Sequence, residues 1–263
     1  MKYYYNNEFE NIDTEDKAYV LGLFYADGFV TYNEEKYSYF SGIKLHTQDI
    51  ELLNNIKESF NFFNIRIENN CAILRCNQKK FCQDMIKNGV LPLKSSINKN
   101  NLTFPKISSN LISHFIRGYF DGDGSIYFNK NNSKNSKGFT FTGDNYKFIK
   151  KIQEILYYEN IPMVLNYNRN STSIIRGEKV EFKTLTFCLI NQNKTIIKKA
   201  SIFLYKNANL YIERKNIIFN TWYEKVKTPC PKCKSLNTSW QIKNKYLKCN
   251  NCNSYSKIDC PIT

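Results

Sequence analysis

Histidine is nearly absent: the 263 residues hold two, His46 and His114. A metallohydrolase built on several imidazoles, or an HNH-type nuclease, cannot be assembled from that supply. Acid–base and metal chemistry therefore falls to carboxylates, lysines and water. Long apolar runs are missing too. The apolar stretches are short and broken by Lys or Asn, which excludes a membrane-spanning helix. The opening residues MKYYYNNEFENID lack the apolar centre of a secretory signal, so the protein is expected to be intracellular. Acid is scarce beside base, with 23 Asp+Glu against 38 Lys+Arg and a formal net charge of +15. A folded protein this basic commonly meets a polyanion, nucleic acid first. An AT-rich gene also encodes much Lys, Asn and Ile, so charge alone does not decide between the two origins. Nine cysteines, an odd number, are expected as thiols and metal ligands rather than as a disulfide framework. Hydrophobic residues at 42% and aromatics at 15% leave ample core for one large or two ordinary domains.

What is present is a repeat. Residues 18–28 read AYVLGLFYADG and residues 114–124 read HFIRGYFDGDG. After Gly28 come the strand-like FVTY and YSYFSGIKLHT, then the helical DIELLNNIKESFNFF; after Gly124 come SIYF and GFTFT, then DNYKFIKKIQEILYYEN. Ile50, Leu53, Ile56 and Phe60 in one, and Phe148, Ile152, Ile155 and Leu156 in the other, fall at helical spacing. NIRIEN with CAILRC closes the first half, and MVLNYNR with EFKTLTFCLI the second; helical stretches near 78–88 and 192–206 follow. Each half thus reads as helix, two strands, helix, two strands, helix, and the duplication implies a pseudo-twofold α+β molecule. The domains expected are 1–100, 101–215 and a basic tail, 216–263.

The repeated segments are expected to be helices, capped by Thr14 or Asp13 in one and by Ser108 or Ser109 in the other. Gly22 and Ala26, and likewise Gly118 and Gly122, share a helix face. Such small-residue faces let two backbones approach closely, which offsets the ~1 kcal/mol that a helical Gly costs relative to Ala. Each helix is expected to stop at Asp-Gly, with Gly28 or Gly124 in the left-handed conformation. If the helices pair in parallel, Asp27 and Asp123 meet at two negative dipole ends, an arrangement that divalent cations such as Mg²⁺ relieve. An Asp-Gly helix end is by itself an ordinary turn; the matched pair is what argues for chemistry.

VLGLFYADG and IRGYFDGDG resemble the two motifs of a single-chain LAGLIDADG homing endonuclease, with a departure at Tyr25, where Asp is common. The resemblance implies two αββαββα units whose antiparallel sheets form a saddle along the DNA major groove, with a monomer cutting both strands of a long specific site. It implies that Asp27 and Asp123 bind catalytic Mg²⁺. It makes Lys94, in GVLPLKS, an active-site lysine and Lys206, in FLYKNA, a weaker counterpart. It leaves one rival on the same scaffold: a non-cleaving nucleic-acid binder, either an RNA maturase or a transcription regulator. Asp121 is expected to cap, to pair or to lie near metal, without a catalytic part, and His114 to be an ordinary surface or boundary residue. Strand residues expected to face DNA are Tyr37, Tyr39, Lys44, His46, Thr140, Thr142, Asn166, Asn168 and Lys183, and the loop lysines Lys130, Lys134 and Lys137 are expected near phosphate.

The tail carries Cys230-Pro-Lys-Cys233 and Cys249-Asn-Asn-Cys252, a C-x2-C-x15-C-x2-C pattern within the structural zinc range. Lys232, Lys234, Lys243 and Lys248 offset the charge of four thiolates, and SWQIKNKYLK reads as strand, so the module resembles a zinc ribbon. It would extend a DNA footprint or bind protein. Cys260 is a spare thiol, and Cys71, Cys76, Cys82 and Cys188 are expected in the core.

Overall fold

A computed structural model describes residues 4–33, 38–92, 101–129, 136–168, 171–175, 178–182, 185–223, 230–235, 238–241 and 246–257. The Thr14 cap forms: its hydroxyl accepts the Lys17 amide at 3.3 Å, and Glu15 and Asp16 occupy the first turn, where the helix dipole favours acid. The helix α1 (Glu15–Ala26) that follows is buried at every residue from Ala18 to Tyr25. A helix apolar on all sides belongs at the centre of its unit.

The first half continues β1 (Gly28–Asn33), β2 (Ser38–His46), α2 (Ile50–Ser59), β3 (Asn64–Glu68), β4 (Cys71–Cys76), α3 (Lys79–Lys87). The second runs α4 (Ile112–Asp123), β5 (Gly124–Asn129), β6 (Ser136–Gly143), α5 (Tyr146–Tyr158), β7 (Val164–Asn168), β8 (Ser171–Ile175), β9 (Glu178–Phe182), β10 (Thr186–Asn191), α6 (Lys194–Tyr205). Two four-stranded antiparallel sheets result, ordered β1-β2-β4-β3 and β5-β6-β10-β7. The second half differs from the expected plan by one insertion. Among the described residues β8 and β9 pair only with each other, from Ser171↔Phe182 to Ile175↔Glu178, so the described parts of the EFKTLTFCLI segment fall in two strands of two sheets. Phe9, Phe24, Phe62, Phe63 and Phe81 pack the first half's core, and Phe115, Phe120, Phe139, Phe141 and Phe148 the second's.

The chain divides into units Met1–Phe219 and Asn220–Thr263. Leu210, Ile212 and Lys215, before the expected tail, and Phe219, just inside it, belong to the first unit and are all buried. Phe219, from α7 (Glu213–Tyr223), packs on Phe120 and Phe139.

α1 and α4 lie side by side and parallel. A Cβ on Gly22 would land on the Phe115 carbonyl oxygen and 2.8 Å from the Tyr119 nitrogen; one on Gly118 would land on the Tyr19 carbonyl oxygen and 2.9 Å from the Leu23 nitrogen. Further along, Gly122 faces Ala26 and Asp27. Gly118→Val should therefore force the helices apart, at a cost of about 3 kcal/mol or a Tm drop of roughly 6–12 °C. A melt within a degree or two of wild type would contradict this packing.

Two local expectations are corrected. α4 has no side-chain cap: Ser108 precedes a short 3₁₀ turn (Ser109–Leu111), and Leu111 is the residue at the helix start. Gly28 and Gly124 are not left-handed; Gly124 has φ −91° and ψ 161°, and Gly89 is the only glycine with positive φ among the described residues. Their need for glycine is steric. Each begins a strand directly after the helix just ended, and a Cβ on Gly28 would collide with the Phe24 Cα and ring, one on Gly124 with the Phe120 ring and carbonyl.

Candidate active site and thiolate centre

The parallel contact fixes where the repeated acids go. The Asp27 carboxylate oxygen Oδ2 sits 3.0 Å from where a Cβ on Gly122 would be, one residue from Asp123 across the interface. A cleft of about 370 Å³ opens beside this point, lined by Tyr25, Ala26, Tyr119, Asp123, Thr142, Asp144 and Thr186 among others. The Thr142 hydroxyl donates to the Asp123 carbonyl at 2.6 Å, and the Tyr119 hydroxyl to the Thr142 carbonyl at 2.7 Å. Burial holds the Tyr119 phenol well above the ordinary tyrosine range, and the charges of Asp123, Asp144 and Asp27 add to the shift. One phenol thus feels three carboxylates, of which sequence reading singled out two.

Asp121 is fully buried and is a structural hub. It accepts from the hydroxyls of Tyr19 (2.8 Å) and Tyr205 (2.7 Å) and from the Ile212 amide (2.9 Å). Burial raises its pKa, opposed by Lys215 and these donors. The matching residue in the first motif, Tyr25, anchors α1 by a different bond, donating to the Asn88 carbonyl at 3.0 Å just beyond α3. The departure at Tyr25 thus replaces one helix-anchoring bond with another. Arg117 is buried as well. It donates to the carbonyls of Leu210 (2.9 Å) and Leu204 (3.1 Å) and lies 2.8 Å from His114 Nδ1, so His114 is buried rather than at the surface.

The lysine that reaches the end of α4 is Lys215, which the sequence pattern did not single out. It is 4% exposed and donates to the carbonyls of Phe120, Asp121 and Gly124. Lys206 is exposed at the end of α6. Lys94, Lys130, Lys134, Lys183, Lys243, Tyr37 and Cys260 lie outside the described residues.

Strand register sorts the remaining candidates. Lys44 and His46 alternate with buried Ile43 and Leu45 and point to the outer face of the first sheet, where the His46 ring accepts the Gln48 amide at 3.2 Å. Arg75 shares that face, its guanidinium 4.2 Å above the Phe40 ring. Thr140, Thr142 and Asn166 take the outer face of the second sheet, and Asn168 holds the same register position. Tyr39 falls on the opposite face from Lys44 because strand side chains alternate, and the Lys79 ammonium lies 5.5 Å over its ring. Lys137 stands opposite Phe128 near the start of β6. Cys76 and Cys82 are buried as expected; Cys71 and Cys188 are half-buried on the outer faces, in register with His46 and Thr142.

The second unit holds a three-stranded antiparallel sheet, β11 (Thr238–Gln241), β12 (Tyr246–Cys249) and β13 (Tyr255–Lys257). Its two Cys-x-x-Cys segments fold alike. The Cys230 amide donates to Ser235 and the Cys249 amide to Ser254, both at 2.9 Å, and the residue after each second cysteine, Lys234 or Asn253, is left-handed (φ 60° and 53°). The four sulfurs of Cys230, Cys233, Cys249 and Cys252 all lie within 4.8 Å of one another, with 3.6 Å for Cys230–Cys252 and for Cys233–Cys249. A tetrahedron of Zn–S bonds near 2.3 Å needs sulfurs about 3.8 Å apart, so the set fits. Ser254 Oγ is 3.0 Å from Cys252 Sγ and 3.3 Å from Cys230 Sγ, and this hydroxyl, with the Cys233 amide, pulls the Cys230 thiol down to about 6.

Comparison with known proteins places these features. Residues 110–198 match the family model for a LAGLIDADG-like domain. A curated relative, the intron-encoded DNA endonuclease ai2b of Dictyostelium discoideum, is 28% identical over 158 residues, 55% of this chain and 60% of that protein. The chain thus matches less than two thirds of that relative's length. Among solved structures, the LAGLIDADG homing endonuclease I-GzeII in complex with its DNA target superposes with a TM-score of 0.52 at 15% identity, covering 78% of this chain and 87% of that one. The meganuclease I-SmaMI bound to uncleaveable DNA gives 0.51 at 15% identity, covering 78% and 88%. The α+β chain, with its two antiparallel sheets behind a parallel helix pair, has the fold of the LAGLIDADG endonucleases.

Proposed function

We propose that the protein is a site-specific double-strand DNA endonuclease with Asp27 and Asp123 as its metal-binding acids. The observation that carries this is the α1–α4 contact, close enough to bring the Asp27 carboxylate against Gly122. The outer sheet faces add Lys44, His46, Arg75, Thr140, Thr142 and Asn166, groups able to pair with base edges, and the net charge of +15 suits a polyanion. The named activity of the Dictyostelium relative agrees with the reading.

Carboxylate oxygens are hard donors and fit Mg²⁺, which when bound would activate water and stabilise a leaving oxygen at a phosphodiester. The chain's own part is positional. Backbone contact at Gly22 and Gly118 fixes the spacing of the two acids, and Asp121 and Tyr25 hold the helices that carry them. The cleft beside Asp123 receives the scissile backbone, and Lys94, which follows α3 in sequence, belongs to the same proposal as a charge-neutralising group. The four cysteines of the second unit hold Zn²⁺ in a closed structural site. The whole acts as a monomer, since both acids are on one chain.

Incubation with a randomised duplex library should yield a discrete cut site in Mg²⁺ and none in EDTA. Selective retention of duplex without cutting in Mg²⁺ would instead identify the non-cleaving binder.

A further inference from the structure

Helix α7 lies outside both repeated units, yet two adjacent basic residues at its start reach one into each half. Arg214 holds Asp49, at the start of α2 in the first half, through a bidentate pair: Nε at 2.9 Å from Oδ1 and Nη2 at 3.0 Å from Oδ2. Lys215 reaches the second half. Its ammonium donates to the carbonyls of Phe120 (2.8 Å), Asp121 (2.6 Å) and Gly124 (2.7 Å), so all three of its protons go to the backbone around the end of α4.

The Phe120 and Asp121 carbonyls lie at the negative end of the α4 dipole, and with that of Gly124 they bracket Asp123 in sequence. Two acids and two helix C-termini converge there, and each repels the others. A cation spent on the carbonyls offsets that repulsion. Burial draws the Lys215 pKa down to about 8, against the opposing pull of Asp121 and Asp27, whose charges it therefore feels.

We infer that Lys215 is a positioning residue: it caps the C-terminus of α4 and fixes the Asp123 carboxylate relative to Asp27, while Arg214 anchors α7, the helix that carries both, to the first half. The inference rests on the nuclease reading for the role of the two acids. It assigns Lys215 no contact with DNA, because its donors are already committed.

The test compares full-length wild type, Lys215→Met and Lys215→Arg bound to the duplex target. Mn²⁺ affinity is read by electron paramagnetic resonance and single-turnover cleavage as a function of Mg²⁺. Lys215→Met should leave DNA affinity within about threefold, weaken Mn²⁺ binding about 10–100-fold and slow cleavage in step, the size typical of lost outer-shell support. Lys215→Arg, which keeps charge and donors, should recover Mn²⁺ affinity to within about tenfold of wild type. A folded Lys215→Met with wild-type Mn²⁺ affinity and rate would overturn the inference, even if its Tm fell. If Lys215→Met does not fold, Arg214→Gln carries the test, with weakened Mn²⁺ binding expected and wild-type binding overturning the clamp. A wild-type protein that binds DNA and Mn²⁺ without cutting would reject the nuclease reading, and the Mn²⁺ comparison would still decide the part played by Lys215.

Discussion

Asp123→Asn, tested on the target recovered from the library, is expected to lose double-strand cutting by at least about a thousandfold, equivalent to ~4 kcal/mol of transition-state stabilisation. DNA affinity should stay level or rise, because the substitution removes a negative charge that would otherwise meet the phosphates. Asn keeps the shape of Asp and its neighbours but supplies a weaker donor with no charge, so a folding defect is not expected; the melt of the variant checks this. Asp27→Asn should behave the same way, since its carboxylate lies against Gly122 at the same centre. On the proposed reading the two acids serve one centre, so neither can substitute for the other. Full double-strand cutting by either variant would remove the assignment.

Removal of zinc is expected to have the second large effect. Structural zinc contributes roughly 10–16 kcal/mol to small metal-dependent modules near neutral pH, more than a three-stranded sheet of this size can supply from its core. The purified protein should carry about one zinc per chain. With a strong chelator, or in Cys249→Ser, the amides of β11–β13 should exchange at unfolded-chain rates, while those of α1 and α4 keep their protection. Unchanged protection across β11, β12 and β13 after chelation would show that the module folds without metal.

The helix pair was legible because its cause is local and repeated: small residues four apart, then Asp-Gly, twice in one chain. The cysteine centre was legible for the same reason, since each knuckle fits within six residues. Lys215 was not, because the carbonyls it reaches lie about ninety residues away in sequence, and no periodicity marks such a meeting. The β8–β9 pair was hidden by a continuous strand-like composition that does not reveal which neighbour each segment pairs with. Gly28 and Gly124 were given the right need for glycine and the wrong reason. A left-handed helix end and a strand starting hard against an aromatic ring exclude the same side chains, and only the backbone angles tell them apart. Tyr39 was misplaced through parity alone.

The contact at Gly22 and Gly118 bears on how such a chain could be recombined. Neither glycine tolerates a methyl group on the other helix's terms, since each one faces backbone rather than a yielding side chain. A chimera that joins this first half to the second half of another protein would therefore succeed or fail at these crossing points before any question of base recognition arose, and a donor bearing Ala or Ser there would need a wider seam along the whole join.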